Sequence, residues 1–315
     1  MPKIRLEKQN IAVVTGSSTG IGYETSLFLA RNGFYTYATM RDTRKSDKIE
    51  KIANNENLPL KVLSMDVDND DSVRNAIHKI LDEKKRIDIL INNAGYGLFG
   101  ALEDISIDEA KKQFETNLFG AMRTIKEVLP SMRKQRNGII INVTSLAGVV
   151  GIPAECIYVS TKFALEGLSE SISYELQPYG IKVILIQPGV INTSFVPNIK
   201  FPNPIDNKLQ EPLLRDEKKE EPKVNYSNND IKKKNSSYYS NTIDTFLSHY
   251  FSAMNNAPPP KEVATVILEA IKNTSNSSDY LFRYTVGEIA KTFVRKKKNM
   301  SDSQLHKFIS DKLLR

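Results

Sequence analysis

Thr15-Gly16-Ser17-Ser18-Thr19-Gly20-Ile21-Gly22 is the stretch that decides the fold. The apolar run Ile11–Thr15 leads into it, and a helical pattern from Ile21 to Arg31 leaves it, ending at Asn32-Gly33, a left-handed C-cap signal. Glycines between a strand and a helix let the backbone turn tightly and approach a pyrophosphate, whose charge the helix N-terminus stabilises. The spacing is G-x-x-x-G-x-G rather than the commoner G-x-G-x-x-G. A glycine turn alone is weak evidence, and its strand–turn–helix setting strengthens it.

Outward from this turn, short Val/Ile-rich runs recur at Tyr35–Thr39, Lys61–Met65, Ile87–Ile91, Gly138–Val143 and Lys182–Ile186. Such runs are apolar on consecutive positions, as parallel strands covered on both faces must be. Helical segments separate them, one starting near Ser106-Ile107-Asp108-Glu109 and another spanning Cys156 to Pro178. The alternation predicts an α/β fold: one Rossmann-type, doubly wound domain with a predominantly parallel sheet of about seven strands. Tyr280–Val286 supplies the seventh, after an amphipathic helix over Lys261–Ile271.

Beyond Phe195 the character changes. Five prolines lead into a polar stretch, and Leu209–Tyr239 has too few apolar residues to offset its ordering entropy. Order is expected to return where Ile243, Phe246, Leu247, Tyr250, Phe251 and Met254 form one helical stripe, capped by Asn241 or Thr242 and stopped by Pro258-Pro259-Pro260. That stripe is either ordinary core or a lid laying an aromatic face over a substrate pocket. The expected organisation is a catalytic domain over 1–290, with a polar insertion and lid at about 196–258, and a basic helical tail over 291–315. In the tail, Ser301-Asp302-Ser303-Gln304 is a capping-box pattern ahead of Leu305, Phe308, Ile309 and Leu313 on one face. This helix must dock on its own domain, a second subunit or a lipid surface.

The 315 residues are 40% hydrophobic and 26% charged, a globular composition. Eight Lys/Arg against two Asp within 291–315 account for +6 of the +7 net charge. The rest of the chain is nearly neutral, which argues against a nucleic-acid partner. No apolar run reaches the roughly 18 residues of a membrane span, and Met1–Lys8 is too charged for a signal peptide. The single cysteine, Cys156, excludes an intrachain disulfide framework and fits a reducing compartment, so a cytoplasmic location is expected. His78, His249 and His306 lack ligand-like spacing, and no metal site is expected.

Tyr158 and Lys162 lie four apart on the predicted Cys156 helix, so both reach one face. A tyrosine with its ordinary pKa of about 10 is a poor acid–base catalyst at neutral pH. A neighbouring ammonium favours the phenolate and is expected to lower that value. Ser145 ends a strand thirteen residues before Tyr158 and is placed to hydrogen-bond a substrate oxygen. Cys156, two residues before Tyr158, reads first as a small apolar residue and otherwise as a thiol near the pocket.

The glycine turn, Asn92-Asn93-Ala94-Gly95, Asn117, Ser145, Tyr158/Lys162 and Pro188-Gly189 follow one another in an order that resembles the short-chain dehydrogenase/reductase family, over roughly 8–195 and 258–290. Tyr158-Val159-Ser160-Thr161-Lys162-Phe163-Ala164-Leu165-Glu166-Gly167-Leu168 and Ala38-Thr39-Met40-Arg41-Asp42 are similar to its branch of 17β-hydroxysteroid and retinol dehydrogenases. The resemblance implies that Gly16, Ser18, Gly20, Ile21 and Gly22 cradle a dinucleotide, with Asp66 and Val67 flanking the adenine. Asn93, Ala94 and Gly95 would contact its ribose and support the central strands. Pro188, Gly189, Val190 and Thr193 would fix the carboxamide end. It makes Tyr158 the general acid or base and has Ser145 orient the carbonyl. Lys162 would also hold the nicotinamide ribose, and Asn117 would kink its helix and hold a relay water.

Cofactor choice follows charge at the end of the second strand, where an acid suits NAD and a base suits the 2′-phosphate of NADP. Thr39 fills the place of the acid and Arg41 follows, with Arg44 and Lys45 nearby and Asp42 available to neutralise Arg41. NADP(H) is expected, with NAD(H) as the alternative. The implied activity is interconversion of a carbonyl and an alcohol on a fairly apolar small molecule, by a homodimer or homotetramer packed through the helices bearing Asn117 and Tyr158. The alternative from another class is a dinucleotide-sensing protein whose basic tail engages an acidic partner.

Overall fold

A computed structural model describes residues 9–193, 199–202, 237–275 and 280–315. The polar stretch from Leu209 falls outside the described residues, except for its last three positions. Seven strands form one sheet in the order β3-β2-β1-β4-β5-β6-β7, every neighbouring pair parallel. They are β1 (Ile11–Val14), β2 (Tyr35–Met40), β3 (Leu60–Ser64), β4 (Ile89–Asn92), β5 (Gly138–Val143), β6 (Ile181–Pro188) and β7 (Arg283–Val286). The order reverses between β1 and β4, and a doubly wound sheet binds ligands at such a switch point, beyond the carboxyl ends of its strands.

Successive strand residues feed opposite layers, which is why the strands read as unbroken apolar runs. Val13, Leu90, Ile140 and Val183 enter one core, with Ile77 and Val128 from helices. Val14, Ile91, Ile141 and Ile184 enter the other, with Leu29 and Ile267. The helices are α1 (Gly20–Arg31), α2 (Asp47–Asn55), α3 (Asp70–Lys84), α4 (Ile107–Phe114), α5 (Gly120–Gln135), α6 (Cys156–Leu176), α7 (Ser240–Asn255), α8 (Pro260–Ser275), α9 (Glu288–Asn299) and α10 (Asp302–Leu313). A π-helical turn, Glu115–Phe119, joins α4 to α5.

Two expectations change. The start of α7 is not capped by Asn241 or Thr242; Tyr239 takes that position without a side-chain cap. The entry is instead fixed from outside, by Ser237 on Asp104 (2.6 Å) and Tyr239 on Glu103 (2.8 Å). The seventh strand is also shorter, because only Arg283–Val286 pairs with β6.

The tail helix docks on its own domain. The predicted Ser301/Gln304 capping box is present, and Leu305 is buried with Leu146, Val150, Ala290 and Phe293. Phe308, Ile309 and Leu313 pack on the same cluster, so the apolar face of α10 is spent within the fold.

Candidate active site

The glycine turn is held by main-chain geometry. Gly16 and Gly20 adopt φ of +68° and +60°, in the left-handed region that favours glycine. Thr15 N donates to Ile91 O and Ser17 N to Thr39 O, at 3.0 and 2.9 Å, so the turn is pinned to both neighbouring strands. A Cβ on Gly22 would lie 2.4 Å from Asn93 Nδ2 and from Gly16 O, so no side chain fits. Thr19 places no side-chain cap on α1, and no acidic residue occupies the first helical turn. The first N–H groups of that helix are therefore presented to an anion, as a dinucleotide pyrophosphate requires.

Asn93 locks this turn to β4. Its Nδ2 donates to Thr15 O and Gly16 O, at 2.9 and 3.2 Å. Thr15 Oγ1 accepts from Asn93 N and Ala94 N. A buried polar chain runs beneath, from Thr124 to Asn92, Asn142 and Ser169.

One cleft of about 1500 Å³ crosses the carboxyl end of the sheet, and all the expected site residues line it except Gly22 and Asn117. Gly22 is packed under the turn. Asn117 is 2% exposed in the π-helical turn, where Nδ2 donates to Tyr96 O (3.0 Å) and Thr161 Oγ1 (3.1 Å) and Oδ1 accepts from Tyr96 N. Its side chain is thus committed to holding the loop after β4 against α6.

Ser145, Tyr158 and Lys162 meet on the cleft floor. Ser145 Oγ accepts from Ala147 N (3.0 Å), and its hydroxyl also hydrogen-bonds Tyr158, which favours the phenolate. Burial dominates, however, and with the charge of Glu155 it holds the Tyr158 phenol above its ordinary pKa. Lys162 Nζ donates to Val143 O at 3.0 Å, and burial lowers its pKa to about 8, against the opposing pull of Glu166. The expectation that Lys162 lowers the tyrosine pKa is therefore corrected, because desolvation drives both groups towards their neutral forms. Cys156 does not line the cleft, and burial raises its thiol pKa, which disfavours the nucleophilic thiolate.

At the end of β2, Thr39 is fully buried and bonded to Val14 O (3.1 Å). It does not line the cleft, whereas Met40 and Arg41 do. Asp42 is engaged by Arg44 rather than Arg41.

Sequence reasoning missed much of the far wall. Phe99 sits against Tyr158 (ring centroids 6.4 Å), Phe246 (5.9 Å) and Tyr250 (5.4 Å). Phe293, Phe308 and Leu313 reach the cleft from α9 and α10. Glu155, 4% exposed, also lines it. The aromatic stripe of α7 thus serves both readings: Ile243, Leu247 and Phe251 are core, while Phe246 and Tyr250 face the cleft.

A strand–glycine turn–helix at a switch point, with serine, tyrosine and lysine converging beside it, is the arrangement of a dinucleotide-binding fold. The family model for short chain dehydrogenase matches residues 10–202, and the chain belongs to that family. It is 44% identical over 188 residues to a 3-ketodihydrosphingosine reductase of Bacteroides thetaiotaomicron, covering 60% of this chain and 66% of that protein. It is 38% identical over 187 residues to retinol dehydrogenase 8 of Bos taurus, covering 58% and 59%. The chain thus spans less than two thirds of the length of either relative. Among solved structures it resembles an alcohol dehydrogenase of Thermococcus sibiricus, described as complexed with 5-hydroxy-NADP (TM-score 0.65, 24% identity, 88% and 96% covered). It also resembles a short chain dehydrogenase/reductase of Burkholderia phymatum in complex with NAD (TM-score 0.73, 20% identity, 95% of each covered). Among the described residues no helix is long and apolar enough to cross a membrane, and no cluster of potential metal ligands occurs.

Proposed function

We propose that this chain is an NADP(H)-dependent oxidoreductase that interconverts a carbonyl and a primary or secondary alcohol on a fairly apolar small molecule. The observation that carries the reading is the Ser145–Tyr158 hydrogen bond, set between the glycine turn and the aromatic wall formed by Phe99 and Phe246. The dinucleotide, when bound, supplies or accepts the hydride. Ser145 accepts from Ala147 N, so its one hydroxyl proton is free to go either to Tyr158 or to a substrate oxygen. Tyr158, kept neutral by burial, is in the form that donates a proton, which favours the reductive direction. Lys162 gives one donor to Val143 O and keeps others for the ribose hydroxyls. Because the Asn117 side chain is fully engaged, a relay water would rest on its main chain.

NADP(H) is favoured over NAD(H) because Arg41 lines the cleft and Asp42 does not take it. The names of the two relatives fit a carbonyl–alcohol couple. Phe119, Phe163 and Tyr174 are exposed on the π-helical turn and α6, which supports a homodimer or homotetramer packed through that face. The lone cysteine fits a cytoplasmic setting. The test is consumption of NADPH and of NADH with apolar ketones, aldehydes and quinones, with Tyr158→Phe in parallel. Turnover with NADPH that vanishes in the variant supports the reading; cofactor binding without turnover of any carbonyl counts against it.

A further inference from the structure

Glu166 is an acid buried behind the cleft rather than in it. It lies one turn beyond Lys162 on α6, is 7% exposed and does not line the cleft. Groups on or just beyond β5, β6 and β7 fix its carboxylate. Oε1 accepts from Thr144 Oγ1 (2.7 Å), just past β5, and from Gln187 Nε2 (2.9 Å) on β6. Gln187 is oriented in turn by Thr285, whose hydroxyl donates to its Oε1 (3.1 Å). Oε2 accepts from Arg283 Nε (2.9 Å) on β7, and the same guanidinium reaches Glu170 through Nη2 (2.5 Å).

This anchored carboxylate sits beside a buried amine. Residues four apart on a helix have Cβ atoms about 5–6 Å apart on one face. A Cβ on Gly148 would lie 3.0 Å from Glu166 Cγ and 3.1 Å from Lys162 O, so the loop after β5 is pressed onto the turn joining the two residues. Burial drives Lys162 towards the neutral amine, and Glu166 is the charge that opposes it. The other charges nearby are committed elsewhere. Glu155 acts on Tyr158, Glu170 shares Arg283, and Glu288, at the cleft from α9, pairs with Lys291 (2.9 Å). The protonation state matters because Lys162 already gives one donor to Val143 O. An ammonium keeps two more for a ribose diol, whereas a neutral amine keeps one.

We infer that Glu166 is a positioning residue for the proposed reaction: its carboxylate, fixed by Thr144, Gln187 and Arg283, is the built-in counter-charge that keeps Lys162 an ammonium with donors to spare. The role of those donors rests on the oxidoreductase reading. The electrostatic link between the two side chains stands without it.

The test reads Lys162 directly, by NMR of protein carrying ¹³C at the lysine Cε, with Lys162→Met assigning the resonance. Its midpoint in wild type should fall near pH 8. In Glu166→Gln the midpoint should drop by about one pH unit or more, the scale of a neighbouring charge in a medium of effective dielectric about 20. The limb of reductive kcat/KM should move down with it. Glu170→Gln takes a partner from Arg283 but no counter-charge from Lys162, and its midpoint should hardly move. Glu166→Gln/Arg283→Gln leaves no stranded guanidinium and serves where the single variant fails to fold; its midpoint should also drop, because it is Glu166 that acts on Lys162. A midpoint unchanged in the Glu166 variants, with only Tm lowered, would make Glu166 a structural tie and overturn the inference while leaving the reductase reading intact. A midpoint that drops in a protein reducing no ketone would keep the counter-charge and sink the reductase reading.

Discussion

Asp42 is closed onto Arg44 by a two-point ion pair, Nε to Oδ1 at 2.8 Å and Nη2 to Oδ2 at 3.0 Å, and not onto its immediate neighbour Arg41. The short 3₁₀ turn Thr43–Lys45, capped by the Asp42 carboxylate on Arg44 N, makes that choice. The acid is therefore not paired with Arg41. Arg41 remains on the cleft, where a guanidinium suits a 2′-phosphate. Arg41→Ala should raise the KM for NADPH by roughly 10–100-fold and leave that for NADH little changed. Steady-state kinetics with both cofactors decide it; equal losses with both would count against the assignment.

Tyr158→Phe should lower kcat by about 10²–10⁴-fold while NADPH affinity, read by fluorescence titration, stays within a few-fold. The pH profile carries a second signature. Lys162 has a folded pKa of about 8, below its ordinary value, so its charge is present below that pH and lost above it. Reductive kcat/KM should therefore decline as pH rises through about 8. Lys162→Met should abolish that limb.

Gly22 leaves no room for a methyl group, since its Cβ would meet Asn93 Nδ2 and a main-chain oxygen at 2.4 Å. Gly22→Ala should cost about 1–3 kcal/mol by overpacking and loosen the Asn93 clamp on the turn. The expected result is a lower Tm together with weaker NADPH binding, the two falling in the same variant.

The glycine turn, the parallel strands around it and the Ser145–Tyr158–Lys162 group were legible because each is a local pattern in the sequence. Of the wall facing them, only the stripe bearing Phe246 and Tyr250 was legible, as one of two readings of its helix. Glu155 is bridged to Gly100 through its main chain, and Phe99 meets Phe246 from a helix far along the chain, so neither contact leaves a local periodicity. Thr39 illustrates the same limit. Its place at the strand end was correct, but the pleat turns it inward to Val14 O and gives the cleft to Arg41. The tail read as basic because its cations dominate composition, while its few apolar residues are what bind it to the fold.

Leu313 joins the cluster around Phe246 to the one around Phe293, and it also lines the cleft. Leu313→Asp should raise KM for an apolar ketone by roughly 10-fold, the cost of placing a charge on an apolar wall. The KM for NADPH should hardly move, because Leu313 lies on the aromatic side. An unchanged ketone KM would mean that α10 covers the cleft without touching what it holds.

The pH dependence of stability carries a signature of Glu155. Its folded pKa, about 8, lies above its unfolded value, so the folded state binds the extra proton between about pH 4.5 and 8. Stability from this group is full below that window and is lost as pH rises through it. A glutamine resembles the protonated acid and has nothing to lose. Glu155→Gln should therefore match wild type in Tm near pH 4.5 and exceed it by roughly 5 °C near pH 8. Scanning calorimetry across the window reads the effect, and parallel curves for the two proteins would show that Glu155 is not titrating where its burial says it must.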